Sequence, residues 1–189
     1  MESLLRSRPH FRRLAAVLSL LAICAISLQG GTEAEDELKC ATLLAFVQNA
    51  HWTEQFAANS PLIVGVIGRA AFAQGLRTSA EGKTVNGHPL RVEGMSAPFD
   101  PNCCQVLYFA TDKSAEIKPV LQSFSSSHVL TIGETNGFLE LGGAVNLFLA
   151  DGHMAFEVSL GARGRAGIEI SSKLLRFGQI HELARGRAR

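Results

Sequence analysis

Residues 61–68 read PLIVGVIG, an almost wholly apolar run that is rich in β-branched side chains. A short run of this kind predicts a strand that is buried on both faces, which is typical of a parallel sheet. Phe72 and Leu76, four residues apart, predict a short helix directly after the strand. Two further buried strands and the helix between them are predicted over residues 105–110, 129–132 and 114–124, respectively. Strands that alternate with helices in this way predict an α/β domain.

The segments before and between these strands fit the same pattern. From Leu38 onward, apolar residues recur at helical spacing, with Trp52 near the end of the predicted helix. The dipeptide Asn86-Gly87 is a strong turn signal, and residues 90–92 alternate like a strand after it. These features place a helix before the first strand and a second strand after the helix of Phe72.

The last third of the chain predicts a β-hairpin and a final helix. Residues 144–150 and 153–160 alternate between apolar and polar side chains, and Asp151-Gly152 joins them. Residues 168–177 predict the helix, with Gly178 as its C-cap. We therefore predict an α/β fold whose mostly parallel sheet is flanked by helices in a Rossmann-like or flavodoxin-like three-layer arrangement, with a C-terminal antiparallel hairpin.

The N-terminus resembles a secretory signal. Four arginines precede an uncharged apolar run over residues 14–28, which is shorter than the about 20 residues of a membrane span. Small residues favour cleavage after Ser27 or Ala34, although an uncleaved anchor is the alternative. We therefore predict a signal peptide over residues 1–34 and a single exported domain over residues 35–189. Lipidation is not expected, because Ile23 rather than a small residue precedes Cys24.

The composition excludes several classes of protein. The chain has 189 residues, of which 47% are hydrophobic, which is enough for one globular core. Removal of the four signal arginines and Glu2 leaves 14 basic and 16 acidic residues, a net charge near −2. This balance argues against a nucleic-acid partner, which would favour a basic excess.

Two glycine-rich turns are the candidates for anion binding. Gly65-x-x-Gly68 connects a predicted strand to a helix, but it lacks the dinucleotide-binding pattern. A tight strand-to-helix turn is the simpler interpretation. Residues 161–167 carry Arg163 and Arg165 among glycines, where an anion could dock, but a glycine-rich connection into the last helix explains them without a ligand.

The sequence gives no basis for catalysis. The histidines outside the signal have no metal-ligand spacing, and they are His51, His88, His128, His153 and His181. The chain also lacks the glycine-flanked serine of the hydrolase nucleophile elbow. We therefore predict no catalytic residues, no cofactor, no metal ligands and no enzymatic activity.

Three cysteines lie beyond the signal, and the exported environment favours disulfides. Cys40 falls on the apolar face of the first helix, so a small core residue is one interpretation. Cys103 and Cys104 precede a buried strand, and a bond between adjacent cysteines is strained. The disulfide hypothesis is a bridge from Cys40 to Cys103 or Cys104, and a count of reactive thiols tests it.

Short motifs along the mature chain resemble the YfiR family of small bacterial periplasmic proteins. They recur in order and with fitting spacing, and they include Lys39-Cys40-Ala41, Ala45-Phe46, Pro61 to Gly68, Gly82-Lys83, Val85, Gly87, Pro89-Leu90, Val92, Cys104, Val106-Leu107-Tyr108, Val129 to Ile132, Gly137-Phe138, Gly142-Gly143, Val145-Asn146, Phe156-Glu157-Val158 and Ile170 to Leu175. Cys104 or Cys103 matches the family cysteine before the strand. Its expected partner in the first strand-helix segment is absent, and a second pair of cysteines near the hairpin is also missing.

The resemblance implies a periplasmic, non-catalytic regulator. Such a protein binds the periplasmic part of an inner-membrane diguanylate cyclase or another membrane sensor, and it represses cyclic-di-GMP production, biofilm formation and adhesion. The alternative is a periplasmic small-molecule binding module that serves a sensor kinase or a transporter. A nucleotide-binding enzyme would rest on the glycine turns alone. The sequence leaves open the contact surface and whether the chain forms a homodimer.

Overall fold

The computed structural model describes residues 33–52, 57, 59–96, 100, 103–124, 128–176 and 179–181. The chain divides into two compact units, residues 1–37 and residues 38–189. The described helices are α1 over residues 33–49, α2 (Ala70–Ala80), α3 (Ser114–Ser123), α4 (Leu160–Arg165) and α5 (Ser172–Leu175). The described strands are β1 (Ala50–Trp52), β2 (Leu62–Gly68), β3 (Thr84–Val85), β4 (His88–Met95), β5 (Val106–Ala110), β6 (Leu130–Gly133), β7 (Val145–Ala150), β8 (His153–Ser159), β9 (Ile168–Ile170) and β10 (Gln179–His181).

The main sheet is mixed and mostly parallel. Its strands lie in the order β10-β8-β7-β6-β5-β2-β4-β3. The five central strands, from β7 to β4, are paired in parallel, as is β10 with β8. The pairs β7–β8 and β3–β4 are antiparallel. Within the described residues, β1 and β9 form a separate antiparallel pair.

Alternation along the central strands divides the apolar side chains between the two faces of the sheet. In β5, for example, Val106 and Tyr108 belong to one buried cluster, whereas Leu107 and Phe109 belong to the other. The first cluster, which we call the α1–α2 core, includes apolar residues of α1 and α2. The second, which we call the α3 core, includes Ile117 and Leu121 of α3. Both faces of β5 are therefore covered, which explains its continuous apolar sequence.

Strands β7 and β8 are joined by Asp151 and Gly152. Both turn residues have positive φ, 51° and 76°, as a tight turn between antiparallel strands requires. The register pairs Ala150 with His153 and Asn146 with Glu157. The Asn146 side chain also donates a 3.0 Å hydrogen bond to the Glu157 carboxylate.

The structure confirms the mixed α/β class with a mostly parallel sheet. The strand predicted from the PLIVGVIG run forms as β2, and the helix that carries Phe72 and Leu76 forms as α2. The buried strands predicted at 105–110 and 129–132 form as β5 and β6. The flavodoxin-like three-layer arrangement stays a prediction, and nearly all of the predicted signal peptide lies outside the described residues.

Two predicted helices were wrong at one end. Residues 168–170 form β9 rather than the start of a helix, and only Ser172–Leu175 is helical, while Phe177 and Gly178 lie outside the described residues. Ile168 and Ile170 are buried on either side of exposed Glu169, so their spacing fits a strand that pairs with β1. Trp52 likewise lies in a strand, because β1 begins at Ala50, directly after α1, and pairs with β9.

Candidate functional site

Three parallel strands end side by side at one edge of the main sheet. Strands β2 and β5 end at Gly68 and Ala110, which are register partners, and β6 ends beside them at Gly133. Arg69 follows β2 and Glu134 follows β6, so both residues lie at this edge. Strand β2 lies between β4 and β5, so the chain crosses from one side of β2 to the other as it passes from β4 to β5. This edge is therefore a topological switch point, where open α/β sheets bind ligands.

The carboxylate of Glu134 is the centre of a cluster at this edge. Its Oε2 lies 2.8 Å from Nζ of Lys39 in α1, and its Oε1 lies 3.1 Å from a guanidinium nitrogen of Arg69. The side chains of Glu134 and Lys39 are each only 11% exposed, whereas that of Arg69 is 42% exposed. We call these three residues with Tyr108 the Glu134 cluster.

Tyr108 completes the cluster from the middle of the sheet. Its hydroxyl donates a 2.9 Å hydrogen bond to Oε2 of Glu134, and its ring stacks on Phe72 of α2 with centroids 4.7 Å apart. Burial, and then the neighbouring Glu134 carboxylate, raise the pKa of Tyr108 well above its usual range. Tyr108 therefore acts as a neutral hydrogen-bond donor. The guanidinium carbon of Arg69 lies 5.3 Å from the centre of the Phe72 ring.

The cluster joins four separate elements at the sheet edge. Its residues come from α1, β5 and the segments after β2 and β6, and they combine two cations with one carboxylate. Because two of the ionic side chains are largely buried, their pairing is only weakly screened by salt. This arrangement suits the positioning of α1 against the sheet edge.

The sequence interpretation missed the Glu134 cluster. Lys39 and Tyr108 appeared only as parts of matching motifs, and Arg69 and Glu134 were not singled out. A polar residue that directly follows a buried parallel strand is the signal that could have found Glu134, since such residues gather at the carboxyl edge. The partner in α1 had no comparable signal, because its position depends on tertiary packing.

Gly68 serves a close approach between two strands. Its φ is +108°, and a Cβ at this position would lie 2.3 Å from the carbonyl oxygen of Ala110. The next amide, of Arg69, donates a 3.1 Å hydrogen bond to that same oxygen. The geometry thus gives Gly65-x-x-Gly68 a steric role in the turn into α2, as the simpler sequence interpretation expected. At Gly65 a Cβ would meet the side chain of Met95 at 2.9 Å.

The second glycine-rich segment is a short helix. Leu160–Arg165 forms α4, and the Ser159 side chain accepts a hydrogen bond from the amide of Ala162 at its start. Arg163 lies within this helix, whereas the sequence interpretation expected a glycine-rich connection into the last helix. The following residues lead to β9.

The three cysteines separate into two places. Cys40 belongs to the α1–α2 core, whereas Cys104 belongs to the α3 core on the other face of the sheet. The sulfurs of Cys103 and Cys104 lie 3.3 Å apart, with the Cys103 thiol as donor. Burial raises the pKa of the Cys104 thiol well above its usual range. The proposed bridge from Cys40 stays a hypothesis, although these positions do not favour it.

The histidines beyond the signal lie on different elements of the described structure. Nδ1 of His88 is 2.9 Å from the carbonyl oxygen of Ser60, and His51 lies opposite Glu169 in the β1–β9 pair. Over the part of the chain that the structure describes, no group of three or more His, Cys, Asp or Glu side chains is arranged to hold a metal ion. None of the helices described is both long enough and apolar enough to span a membrane.

An open groove lies between α2 and strand β4. Its volume is about 490 Å³. Its lining includes Arg77, Glu81, Arg91 and Glu93, so charges of both signs face it. Nε of Arg77 donates a 3.2 Å hydrogen bond to the carbonyl oxygen of Val92, which holds that side chain against the strand.

The fold and the Glu134 cluster define a mixed α/β domain in which Glu134, at the carboxyl edge of the sheet, forms ion pairs with Lys39 and Arg69. The family model described as YfiR/HmsC-like matches residues 36–179. The chain therefore belongs to the YfiR/HmsC-like family, which consists of periplasmic, regulatory proteins. The comparison with curated proteins found no match.

Proposed function

We propose that this chain is an exported, non-enzymatic regulator that binds the periplasmic domain of an inner-membrane diguanylate cyclase and represses cyclic-di-GMP synthesis. The observation that carries the proposal is the family match over residues 36–179, which spans α1 through the start of β10. The signal-like segment before this region supports export. The partner, the export and the repression are all parts of the proposal.

The proposed mechanism is a population shift. A regulator that binds one conformation of the cyclase's periplasmic domain more tightly than another shifts the equilibrium by its difference in binding free energy. A tenfold preference corresponds to about 1.4 kcal/mol. No chemical step by the regulator is needed, so the whole effect follows from binding.

The first experiment is a capture from solubilised membranes of the source bacterium. The tagged mature chain is the bait, with and without reductant, and mass spectrometry identifies the bound proteins. Recovery of a diguanylate cyclase that has a periplasmic domain supports the proposal. If only the same nonspecific proteins are recovered in both conditions and with an unrelated exported bait, the cyclase assignment is wrong.

A second experiment tests repression in cells. Expression of the full chain is expected to lower cyclic-di-GMP, whereas a matched chain without residues 2–27 should fold but stay in the cytoplasm and leave cyclic-di-GMP unchanged. Equal effects of both chains would contradict a periplasmic site of action. The contact surface is then located with Leu149→Ser at the hairpin and Leu38→Ser on α1, since these large side chains are 42% and 46% exposed.

The groove between α2 and β4 favours one alternative, a small-molecule binding module. Its volume of about 490 Å³ lies within the usual range of ligand sites. A ligand that binds the folded state raises the melting temperature. A screen of small charged metabolites that shifts the wild-type chain but not Arg91→Ala would support this alternative, and an unchanged melting temperature throughout the screen would count against it.

A further inference from the structure

Strand β4 is the last long strand on its side of the main sheet. Its inner side pairs with β2 over residues 90–95, whereas β3 covers its outer side only at residues 88–89. Next to β3, the amide of Leu90 donates a 3.0 Å hydrogen bond to the carbonyl oxygen of Lys83. Beyond this contact, none of the described strands pairs with the outer side of residues 91–95. This part of β4 is therefore an open sheet edge.

The open edge presents backbone groups that point away from β2. The Leu90 amide points outward, because it bonds to Lys83 next to β3. The Val92 carbonyl points outward as well, since Nε of Arg77 donates to it at 3.2 Å. Backbone groups alternate between the two sides of a strand, so the N–H and C=O groups of Val92 and Gly94 form the outward row. A carbonyl oxygen has two lone pairs, so the Val92 carbonyl can accept a second hydrogen bond.

Gly94 lies within this open edge and has no structural need to be glycine. It is exposed inside β4 and does not have positive φ. A Cβ at this position would meet nothing within 4 Å among the described residues. A glycine inside a strand weakens it, and such a glycine often marks a place where a ligand or another backbone approaches closely. Gly94 thus points to an approach from outside the chain.

Helix α2 forms the other wall beside this edge. It packs against β4, and the two elements line the open groove of about 490 Å³. If two copies joined through this edge, their β4 strands would lie about 4.8 Å apart. The two α2 helices over them would then be closer than the about 8–10 Å that packed helices need. The groove therefore fits a lone extended segment rather than a second copy of the domain.

Arg91 and Glu93 define the charges that such a segment must carry. Both are exposed and alternate with buried Val92, so their side chains share one face of the edge. Opposite charges that face each other across two strands attract, whereas like charges repel. The edge is therefore complementary to a strand with an acidic residue opposite Arg91 and a basic residue opposite Glu93, two positions apart.

We propose that the groove between α2 and β4 binds an extended peptide segment of a protein partner. The segment adds a strand to the edge at Val92 and Gly94, and it carries a carboxylate and a cation two residues apart. In this mode of recognition, main-chain hydrogen bonds supply affinity and the side chains supply specificity. The proposal goes beyond the regulator function and does not require the partner to be a diguanylate cyclase, so either can fail without the other.

The experiment uses the fluorescein-labelled peptide TKVEVKT as the probe. Its Lys-x-Glu-x-Lys pattern matches the edge charges in either strand direction. Fluorescence anisotropy with the mature chain should show saturable binding of one peptide per chain. In amide hydrogen exchange followed by NMR, bound peptide should protect Val92 and Gly94, whereas Glu93, whose amide faces β2, serves as the internal control. The same peptide with N-methylated amides keeps its charges but cannot donate to the edge, and it should not bind.

Gly94→Pro and Gly94→Ala form a matched pair of variants. Proline removes the outward N–H, which is tolerated on an edge strand, whereas alanine keeps it. Gly94→Pro should weaken peptide binding at least about tenfold, because a hydrogen bond to the peptide is lost. Gly94→Ala should bind like the wild-type chain. Circular dichroism verifies that both variants are folded.

Charge reversal on the exposed face tests the same surface without changing the backbone. Arg91→Glu and Glu93→Lys should each weaken binding about fivefold, because each places like charges opposite each other. The double variant exchanges the two charges, and the peptide pattern matches the exchanged order as well. Binding by the double variant should therefore return to the wild-type level. These variants carry the test if Gly94→Pro does not fold.

The proposal is wrong if the peptide does not bind, if the N-methylated peptide binds equally well, or if the double charge variant stays as weak as the single ones. Sedimentation of the chain alone tests the second-copy alternative. A dimer that Gly94→Pro dissociates would assign the edge to a second copy and overturn the proposal. Protection of the Val92 and Gly94 amides by a small charged metabolite, without any binding of the peptide, would also overturn it.

Discussion

Nζ of Lys39 lies 2.8 Å from Oε2 of Glu134, and both side chains are 89% removed from solvent. The pair joins α1 to the residue that follows β6, across a separation of 95 positions in the chain. Tyr108 donates to the same carboxylate oxygen. The position of α1 against the sheet edge therefore depends on one carboxylate with several donors, which makes Glu134 the most informative residue to change.

Glu134→Gln is expected to destabilise the domain by about 3 kcal/mol, because it removes the carboxylate charge that pairs with the largely buried Lys39 ammonium group. Urea unfolding followed by circular dichroism gives the change in the free energy of unfolding. Glu116→Gln is the matched control, since its 3.1 Å pair with Lys113 is exposed, and it should change stability by less than about 1 kcal/mol. Equal effects of the two substitutions would contradict the structural role of the Glu134 cluster.

Tyr108 offers a direct optical test, because it is the only tyrosine in the chain. Its pKa is raised by burial and by Glu134, so native protein should show no phenolate absorbance as the pH passes the ordinary value near 10. The same titration in concentrated urea should give a normal tyrosine curve. Phenolate formation near pH 10 in folded protein would show that Tyr108 is not buried as described.

The same shift predicts the pH dependence of stability. The folded state holds the Tyr108 proton more tightly than the unfolded state does. The stabilisation of the folded state that results is fully present below about pH 10 and is lost as the pH rises above it. Tyr108→Phe should therefore cost about 1 kcal/mol near neutral pH. Its stability should fall less steeply than that of the wild type above pH 10, as measured by urea unfolding across the range.

Gly68→Ala tests the close approach of β2 and β5. Gly142 is the matched control, because its φ of +109° is nearly that of Gly68 while a Cβ there meets nothing within 4 Å. Gly142→Ala should cost about 1–3 kcal/mol for backbone strain alone. Gly68→Ala should cost at least about 1 kcal/mol more, because its Cβ clashes with the Ala110 carbonyl. Similar losses in thermal unfolding would contradict the steric role.

Alkylation tests the placement of the cysteines. In native protein, iodoacetamide should modify partly exposed Cys103 first, whereas Cys40 and Cys104, each 3% exposed, should react slowly. Mass spectrometry of the digested chain gives the order. Under denaturing, non-reducing conditions, three reactive thiols in the mature chain would exclude a bridge from Cys40, whereas a single reactive thiol located at Cys103 or Cys104 would support it.

Local pattern was sufficient for much of the sheet. The apolar β-branched run of β2 and the apolar run of β5 are buried on both faces, so their sequences alone indicate parallel strands. The helix prediction at residues 168–177 was wrong because Ile168 and Ile170 are only two residues apart. That spacing places both side chains on one face of a strand rather than on one face of a helix, and β9 pairs with Ala50–Trp52.

The sequence by itself determined the α/β class, the place of β2 and the family, since these depend on local periodicity and on the order of motifs. Only the tertiary structure decided that Lys39, Tyr108 and Glu134 meet, and that the Met95 side chain packs over Gly65. Each of these contacts joins residues on different elements, and which elements become neighbours is set by strand order and by packing on the two faces of the sheet. A side-chain pattern within one segment carries no information about that choice.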